Sequence, residues 1–165
     1  MRYLSDTEVK NLLENKWLQI IEAIESAFLD STAEMIPKTY LDGLGGDFRA
    51  MPAALGDYAA LKWISVFPSN WQKEKHTIHG TLVLSDRRTG ETLIAMDCRT
   101  LTAYRTAATS AIAAKYCAPK AEEFAFIGCG LQAKYHIEAY ESIFSHMKMS
   151  VELYDKNEKA QKDLF

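Results

Sequence analysis

The chain has 165 residues, 48% of them hydrophobic and 25% charged, and carries a net charge of −3. That length can bury one full core or two small ones, and the composition is ordinary for a globular protein. The slight negative charge provides no basic field for nucleic acid, no apolar run is long enough to span a bilayer, and the first residues have no signal-peptide core.

Ser5-Asp-Thr-Glu8 is a capping-box pattern that predicts a short helix to about Leu13. Trp17 to Thr32 reads as an amphipathic helix with Trp17, Ile20, Ile21, Ile24, Phe28 and Leu29 on one face. A strand-rich stretch follows. Pro37 to Asp42 and Phe48 to Ala53 flank Gly43-Leu-Gly-Gly46 as a hairpin, and Ala60 to Phe67 is a third strand. Pro68-Ser-Asn70 opens a polar, lysine-rich loop. Thr77 to Ser85 and Thr92 to Asp97 form a second hairpin around Asp86-Arg-Arg-Thr-Gly-Glu91. Thr100 to Cys117 is a helix rich in Ala and Thr, suited to close packing, and Ala118-Pro-Lys-Ala121 ends it. A boundary is therefore expected near Pro119, dividing 1–118 from 119–165.

Beyond that boundary, Phe124-Ala-Phe-Ile-Gly-Cys-Gly-Leu-Gln-Ala133 joins a hydrophobic strand to a glycine turn and a helix expected to run from Leu131 to about His146. Gly128-x-Gly130-x-x-Ala133 is the dinucleotide-binding fingerprint with alanine in the third small position. Gly128 permits the tight turn, Gly130 admits a pyrophosphate close to the backbone, and Ala133 lets helix and sheet approach. The helix N-terminus aims N–H groups and a positive dipole end at the phosphates. A second strand, Met149 to Tyr154, ends in Asp155, about 20 residues past the turn, where a carboxylate accepts from the ribose hydroxyls and disfavours a 2′-phosphate. NAD is the expected cofactor, with Lys156 the one neighbour that weakens the discrimination.

Asn157 to Phe165 begins another helix. A doubly wound sheet has about six strands, and only two are expected here. Phe124, Phe126, Ile127, Val151 and Leu153 are therefore expected to lack neighbours, and the chain reads as a piece of something longer. The fold class is α/β: an α+β domain followed by the first β-α-β part of a truncated Rossmann domain. Cys98, Cys117 and Cys129 form no CxxC pair and read as reduced thiols of a cytoplasmic protein.

The segments Leu61-Lys-Trp-Ile-Ser-Val-Phe-Pro-Ser-Asn70 with Thr77, Leu101-Thr-Ala-Tyr-Arg-Thr-Ala-Ala-Thr-Ser110 and Ile127-Gly-Cys-Gly-Leu-Gln-Ala133 together resemble the ornithine cyclodeaminase/mu-crystallin family. The resemblance runs from about Met35 to the C-terminus. Phe48-Arg-Ala-Met-Pro52 and Ile94-Ala-Met-Asp97 look most like its archaeal-type alanine dehydrogenase branch. It implies NAD-linked interconversion of an amino acid and a 2-oxo acid; the cyclodeaminase branch implies closure of ornithine to proline with release of ammonia. It also implies a homodimer built on the strand-rich first domain, and members about twice this length.

By the same resemblance, Lys62 matches the lysine near the substrate carboxylate and reacting carbon, and is the catalytic candidate. Arg105 matches an arginine serving the substrate carboxylate and the cofactor; its planar fork suits a two-point grip. Lys38 and Arg49 match two further cationic substrate contacts, and Met51 a pocket-lining methionine. Thr77 and Thr106 match residues near the nicotinamide and phosphates, and Gly128, Gly130, Leu131, Gln132 and Ala133 match the phosphate turn. Cyclodeaminases place an acid where Arg49 stands, so a cation there opposes ornithine. Their catalytic aspartate belongs to a later region than this chain contains. A non-catalytic dimerising or binding protein is the competing class.

Other residues invite plainer readings. His76 and His79 have HxxH spacing, which on a strand points the rings to opposite faces, so no metal site is expected. Trp63, Phe67 and Trp71 read as core or interface. Asp57, Asp86 and Asp97 are satisfied by turn or cap roles, and Cys129 by that of a small filler.

Overall fold

A computed structural model describes residues 1–146 and 148–164. The fold is mixed α/β and falls into two compact units that interleave along the chain. Met1–Leu12 packs with Ala27–Thr102, and Leu13–Ser26 packs with the chain from Ala103 onward. Among the described residues, no helix is long and apolar enough to cross a membrane.

The first unit is built on one seven-stranded sheet. Its strands are β1 (Arg2–Leu4), β2 (Glu34–Met35), β3 (Thr39–Gly43), β4 (Gly46–Leu55), β5 (Tyr58–Val66), β6 (Ile78–Asp86) and β7 (Thr92–Asp97). The order is β1-β7-β6-β5-β4-β2, with β3 also paired to β4. The two expected hairpins form, β3–β4 through Leu44-Gly45 and β6–β7 through the Asp86 turn. In that turn the Asp86 carboxylate accepts from the Arg88 and Thr89 N–H groups, each at 2.8 Å. The sequence reading missed a third hairpin, Leu55-Gly-Asp-Tyr58, where Gly56 takes φ +54°. It also missed two short edge strands. β1 pairs in parallel with β7, and β2 covers the end of β4; strands of three and two residues carry too little periodicity to read.

α1 (Asp6–Leu13) starts on the expected capping box. The Ser5 N–H and hydroxyl both donate to Glu8 Oε2 at 2.8 Å, and the Glu8 N–H donates to Ser5 Oγ at 3.4 Å. α2 (Trp17–Leu29) stops three residues before Thr32, because Asp30 accepts from the Thr32 N–H at 2.8 Å and turns the chain. Phe28 and Leu29, expected on the buried face, are exposed. A 3-10 helix, Pro68–Lys73, replaces the expected polar loop, and Trp71 on it is 69% exposed rather than core. Gly80 in β6 is a close-approach glycine. A Cβ there would lie 2.7 Å from Cys98 Sγ and 2.8 Å from the Trp63 carbonyl.

The second unit holds the main body of α3 (Arg99–Cys117), then β8 (Glu123–Ile127), α4 (Leu131–Ile143), β9 (Ser150–Tyr154) and α5 (Glu158–Lys162). Its core is made from small residues: Ala107, Ala108, Ala111 and Ala139 pack with Ile21 and Ile112, flanked by Trp17, Ile20 and Ile24. Trp17, Tyr104 and Tyr135 form a ring cluster, with Tyr104 4.5 Å from Trp17 and 4.9 Å from Tyr135. β8 and β9 run parallel, as expected, with α4 between them in the chain. The expectation that Phe124 and Phe126 lack neighbours fails. Phe124 packs on Tyr140 and Phe144 at 5.0 and 5.2 Å, and Phe126 on Tyr140 at 5.8 Å. Val151 and Leu153 are likewise partly covered, whereas Ile127 is 88% exposed. α4 ends at Ile143, short of His146, and Asn157 caps α5 by accepting from Lys159 N–H. The expected end of that helix, Phe165, lies outside the described residues.

Candidate functional site

Directly opposed residues of an antiparallel ladder share a face. Tyr40 opposes Arg49, Arg49 opposes Ile64, and Met51 opposes Lys62. Arg49, Met51 and Lys62 therefore stand on one sheet face with Tyr40, and Lys38 is brought to the same place, its Nζ 5.6 Å from the Tyr40 ring centroid. Arg49 Cζ is 5.5 Å from that centroid. Lys62 is half-buried and Lys38 exposed. The opposite face carries Leu41, Phe48, Leu61 and Trp63.

Arg49 is not a solitary cation. Its Nε donates to Asp47 Oδ1 at 2.5 Å and its Nη2 to Oδ2 at 3.0 Å. The Arg49 hydrogen bond holds the Asp47 carboxyl below its usual range, with partial burial opposing and the charges of Arg49 and Lys38 assisting. The same bond raises Arg49. Asp47 thus offsets the Arg49 charge, and Lys38 stands beside the pair. Tyr40 and Asp47 were not expected at this site. For Asp47 the signal was the two-residue spacing of Asp47-x-Arg49, which puts both on one face of β4; Lys38 precedes β3, so no strand spacing ties it to Tyr40. Thr77 lies at the entry to β6, where its carbonyl accepts from Phe67 N–H at 2.8 Å.

The second group belongs to the other unit. Arg105 and Thr106 lie on α3, Arg105 exposed and Thr106 half-buried. The neighbouring Tyr104 is buried, which pushes its hydroxyl up to about 12. Downstream, Gly128 adopts φ +102°, a left-handed conformation that glycine alone takes without strain. A Cβ added at Gly128 or Gly130 would meet nothing within 4 Å, so the turn lies open. Ala133 is buried, as close packing of helix and strand requires, and Leu131 and Gln132 are exposed at the start of α4. The helical hydrogen bonds of α4 begin with Ala133 N–H to the Gly130 carbonyl at 3.0 Å, so the Leu131 and Gln132 N–H groups precede that ladder. A cleft of about 240 Å³ beside the turn is lined by Cys129, Gly130, Leu131, Lys134, Ala160 and Asp163.

Asp155 backs the turn. Its carboxylate accepts from Cys129 N–H at 2.7 Å and from Asn157 N–H at 2.8 Å, and these bonds lower its pKa. Burial first, and then the Asp155 charge, raise the Cys129 thiol. The sequence reading also overlooked His136, whose Nδ1 lies 2.7 Å from the Gln132 carbonyl and Nε2 3.0 Å from Ser110 Oγ. A carbonyl only accepts, so Nδ1 carries the proton, and in the neutral ring Nε2 accepts from the Ser110 hydroxyl. This bond ties the second turn of α4 to α3.

The HxxH expectation is corrected. His76 precedes β6 rather than lying in it, and the two imidazoles come within 5.9 Å, edge to face. Among the described residues no group of three or more His, Cys, Asp or Glu could hold a metal. The turn and cap readings match the hydrogen bonds of Asp86 and Asp97. Asp97 accepts from Arg99 N–H at 2.9 Å at the start of α3, and Asp57 pairs with Arg88.

The family profile for ornithine cyclodeaminase/mu-crystallin proteins matches residues 1–165. Alanine dehydrogenase of Archaeoglobus fulgidus is 40% identical over 163 residues, which cover 96% of this chain and 49% of that protein. The solved archaeal alanine dehydrogenase dimer with bound NAD superposes with a TM-score of 0.90 at 38% identity, covering 98% of this chain and 51% of the other. The Δ1-pyrroline-2-carboxylate reductase of Thermococcus litoralis, in complex with NADH and L-proline, gives 0.88 at 30% identity, covering 99% and 52%. The chain thus spans about half the length of the curated relatives it matches. It belongs to the ornithine cyclodeaminase/mu-crystallin family.

Proposed function

We propose that the protein carrying these residues is an NAD-dependent amino-acid dehydrogenase or imine reductase, alanine dehydrogenase-like, that interconverts an amino acid and a 2-oxo acid. The observation that carries this reading is the glycine turn. It is open above Gly128 and Gly130, stands at the N-terminus of α4, and is backed by Asp155. That arrangement fits a dinucleotide pyrophosphate on Gly130, Leu131 and Gln132, with Ala133 holding the helix close. β8, α4 and β9 are then the start of a Rossmann domain from about Pro119, after a substrate and dimerisation part over 1–118.

When bound, the nicotinamide supplies the hydride. This chain's residues supply charge and orientation. Arg105 takes the substrate carboxylate with its fork and also serves the cofactor side with Thr106 and Thr77. Lys62 offers a positive charge near the reacting carbon and a proton at the imine nitrogen or its water adduct. Lys38 and Arg49 add cationic contacts, and Met51 lines the pocket. Cations at these positions disfavour the second amine of ornithine, which places the dehydrogenase reading ahead of the cyclodeaminase. The apolar sheet face with Leu41 at 61% and Leu61 at 41% exposure fits a homodimer contact.

The test mixes the protein with NADH, ammonia and a panel of 2-oxo acids and follows NADH absorbance. Ammonia-dependent consumption is expected with at least one 2-oxo acid. Binding of NADH without consumption for any of them would instead favour a non-catalytic binding protein.

A further inference from the structure

Tyr40 shares the face of Lys62 but has no part in the mechanism above. Tyr40 is 53% exposed, so it is not there to fill the core. The aromatic rings of the other face pack against one another instead, Phe48 stacked on Trp63 at 5.6 Å. Tyr40 is set against two cations, Lys38 Nζ at 5.6 Å and Arg49 Cζ at 5.5 Å from its centroid. Those like charges repel, and the negative face of one ring attracts both. Asp47 occupies the Nε and Nη2 edge of the guanidinium. The edge shared by Nη1 and Nη2 is therefore the one an incoming anion would meet.

We propose that Tyr40 is a positioning residue for the substrate carboxylate, its ring holding the Lys38 ammonium and Arg49 guanidinium oriented on the face they share with Met51 and Lys62. The inference rests on the reading of that face as the substrate side. It adds a specificity device: the two cations act as a pre-ordered pair because an aromatic ring and one carboxylate hold them.

The experiment titrates the protein and its Tyr40→Phe and Tyr40→Leu variants with pyruvate, 2-oxobutyrate and oxaloacetate, and separately with NADH. Tyr40→Phe keeps the ring and is expected to bind the 2-oxo acid like the wild type. Tyr40→Leu is expected to bind it about tenfold more weakly, the scale of two exposed cation–π contacts, with NADH affinity unchanged. Tyr40→Thr, a strong strand former, repeats the test should leucine disturb β3. Wild-type affinity for the 2-oxo acid in both ring-less variants would overturn the role of Tyr40 and leave the substrate face standing. Parallel loss of NADH binding would make the role structural and overturn it too. A wild-type protein that binds none of the three acids would overturn the underlying reading itself.

Discussion

Arg105 and Asp155 are the residues whose chemistry is most directly testable. Arg105→Lys keeps the charge and loses the planar fork, so affinity for the 2-oxo acid should fall by about 1–3 kcal/mol. Cofactor affinity should change far less. Unchanged KM and kcat would remove Arg105 from the carboxylate site. Asp155 has a folded-state pKa lowered by the Cys129 and Asn157 N–H groups. Its contribution is then complete above the unfolded value of about 3.9 and is lost as pH falls through the lower folded value. Hydrogen exchange at Cys129 and Asn157 should accelerate, relative to β5, in that acid window; a flat ratio would mean that the carboxylate does not anchor the turn. Motif and spacing single out both residues as candidates, and the structure places Asp155 against the turn. The Asp47–Arg49 pair was readable from its two-residue spacing on β4, but the Tyr40–Arg49 contact was not, because it depends on the β3–β4 register. The HxxH orientation failed because β6 starts at Ile78, after His76.

Elements declared by local chemistry were readable. The capping box started α1, the Gly43–Gly46 turn joined β3 to β4, the Asp86 turn joined β6 to β7, and the Gly128 turn joined β8 to α4. Helix ends were less so: Asp30 stops α2 with a side-chain hydrogen bond that competes with the helical ladder. The Ala-rich α3 shows what composition conveys, since small residues imply close approach without naming the partner. The partners are Ile21 on α2 and Ala139 on α4. Ala108 is fully buried there, so Ala108→Leu should cost about 1–3 kcal/mol or more by overpacking. Thermal or denaturant unfolding measures this, and an unchanged midpoint would show that the packing yields. Cys117→Ser, at an exposed position on the same helix, serves as the control.

Across the whole chain, the two units should differ in local stability. β5 is paired on both sides, by β4 and β6. β8 and β9 form a two-stranded sheet, with Ile127 88% and Tyr154 63% exposed, and such ribbons are marginal alone. Amides of Phe124–Ile127 and Val151–Tyr154 should therefore exchange faster than those of Lys62–Val66. Equally slow exchange would show that α4 and α3 packing suffices to hold the pair. The sequence by itself determined the family, the alternation of strands and helices, and the glycine turn between β8 and α4. These are written in short-range patterns: capping residues, glycine turns, strand periodicity and linear motifs. Tertiary structure alone decided that Leu13–Ser26 packs with the later unit, that β1 closes the sheet in parallel beside β7, and that Phe124 and Phe126 rest on Tyr140. It also decided that Tyr40 joins Arg49 on the face of Lys62. Such contacts link residues distant in the chain or fixed by strand register, and local periodicity specifies neither.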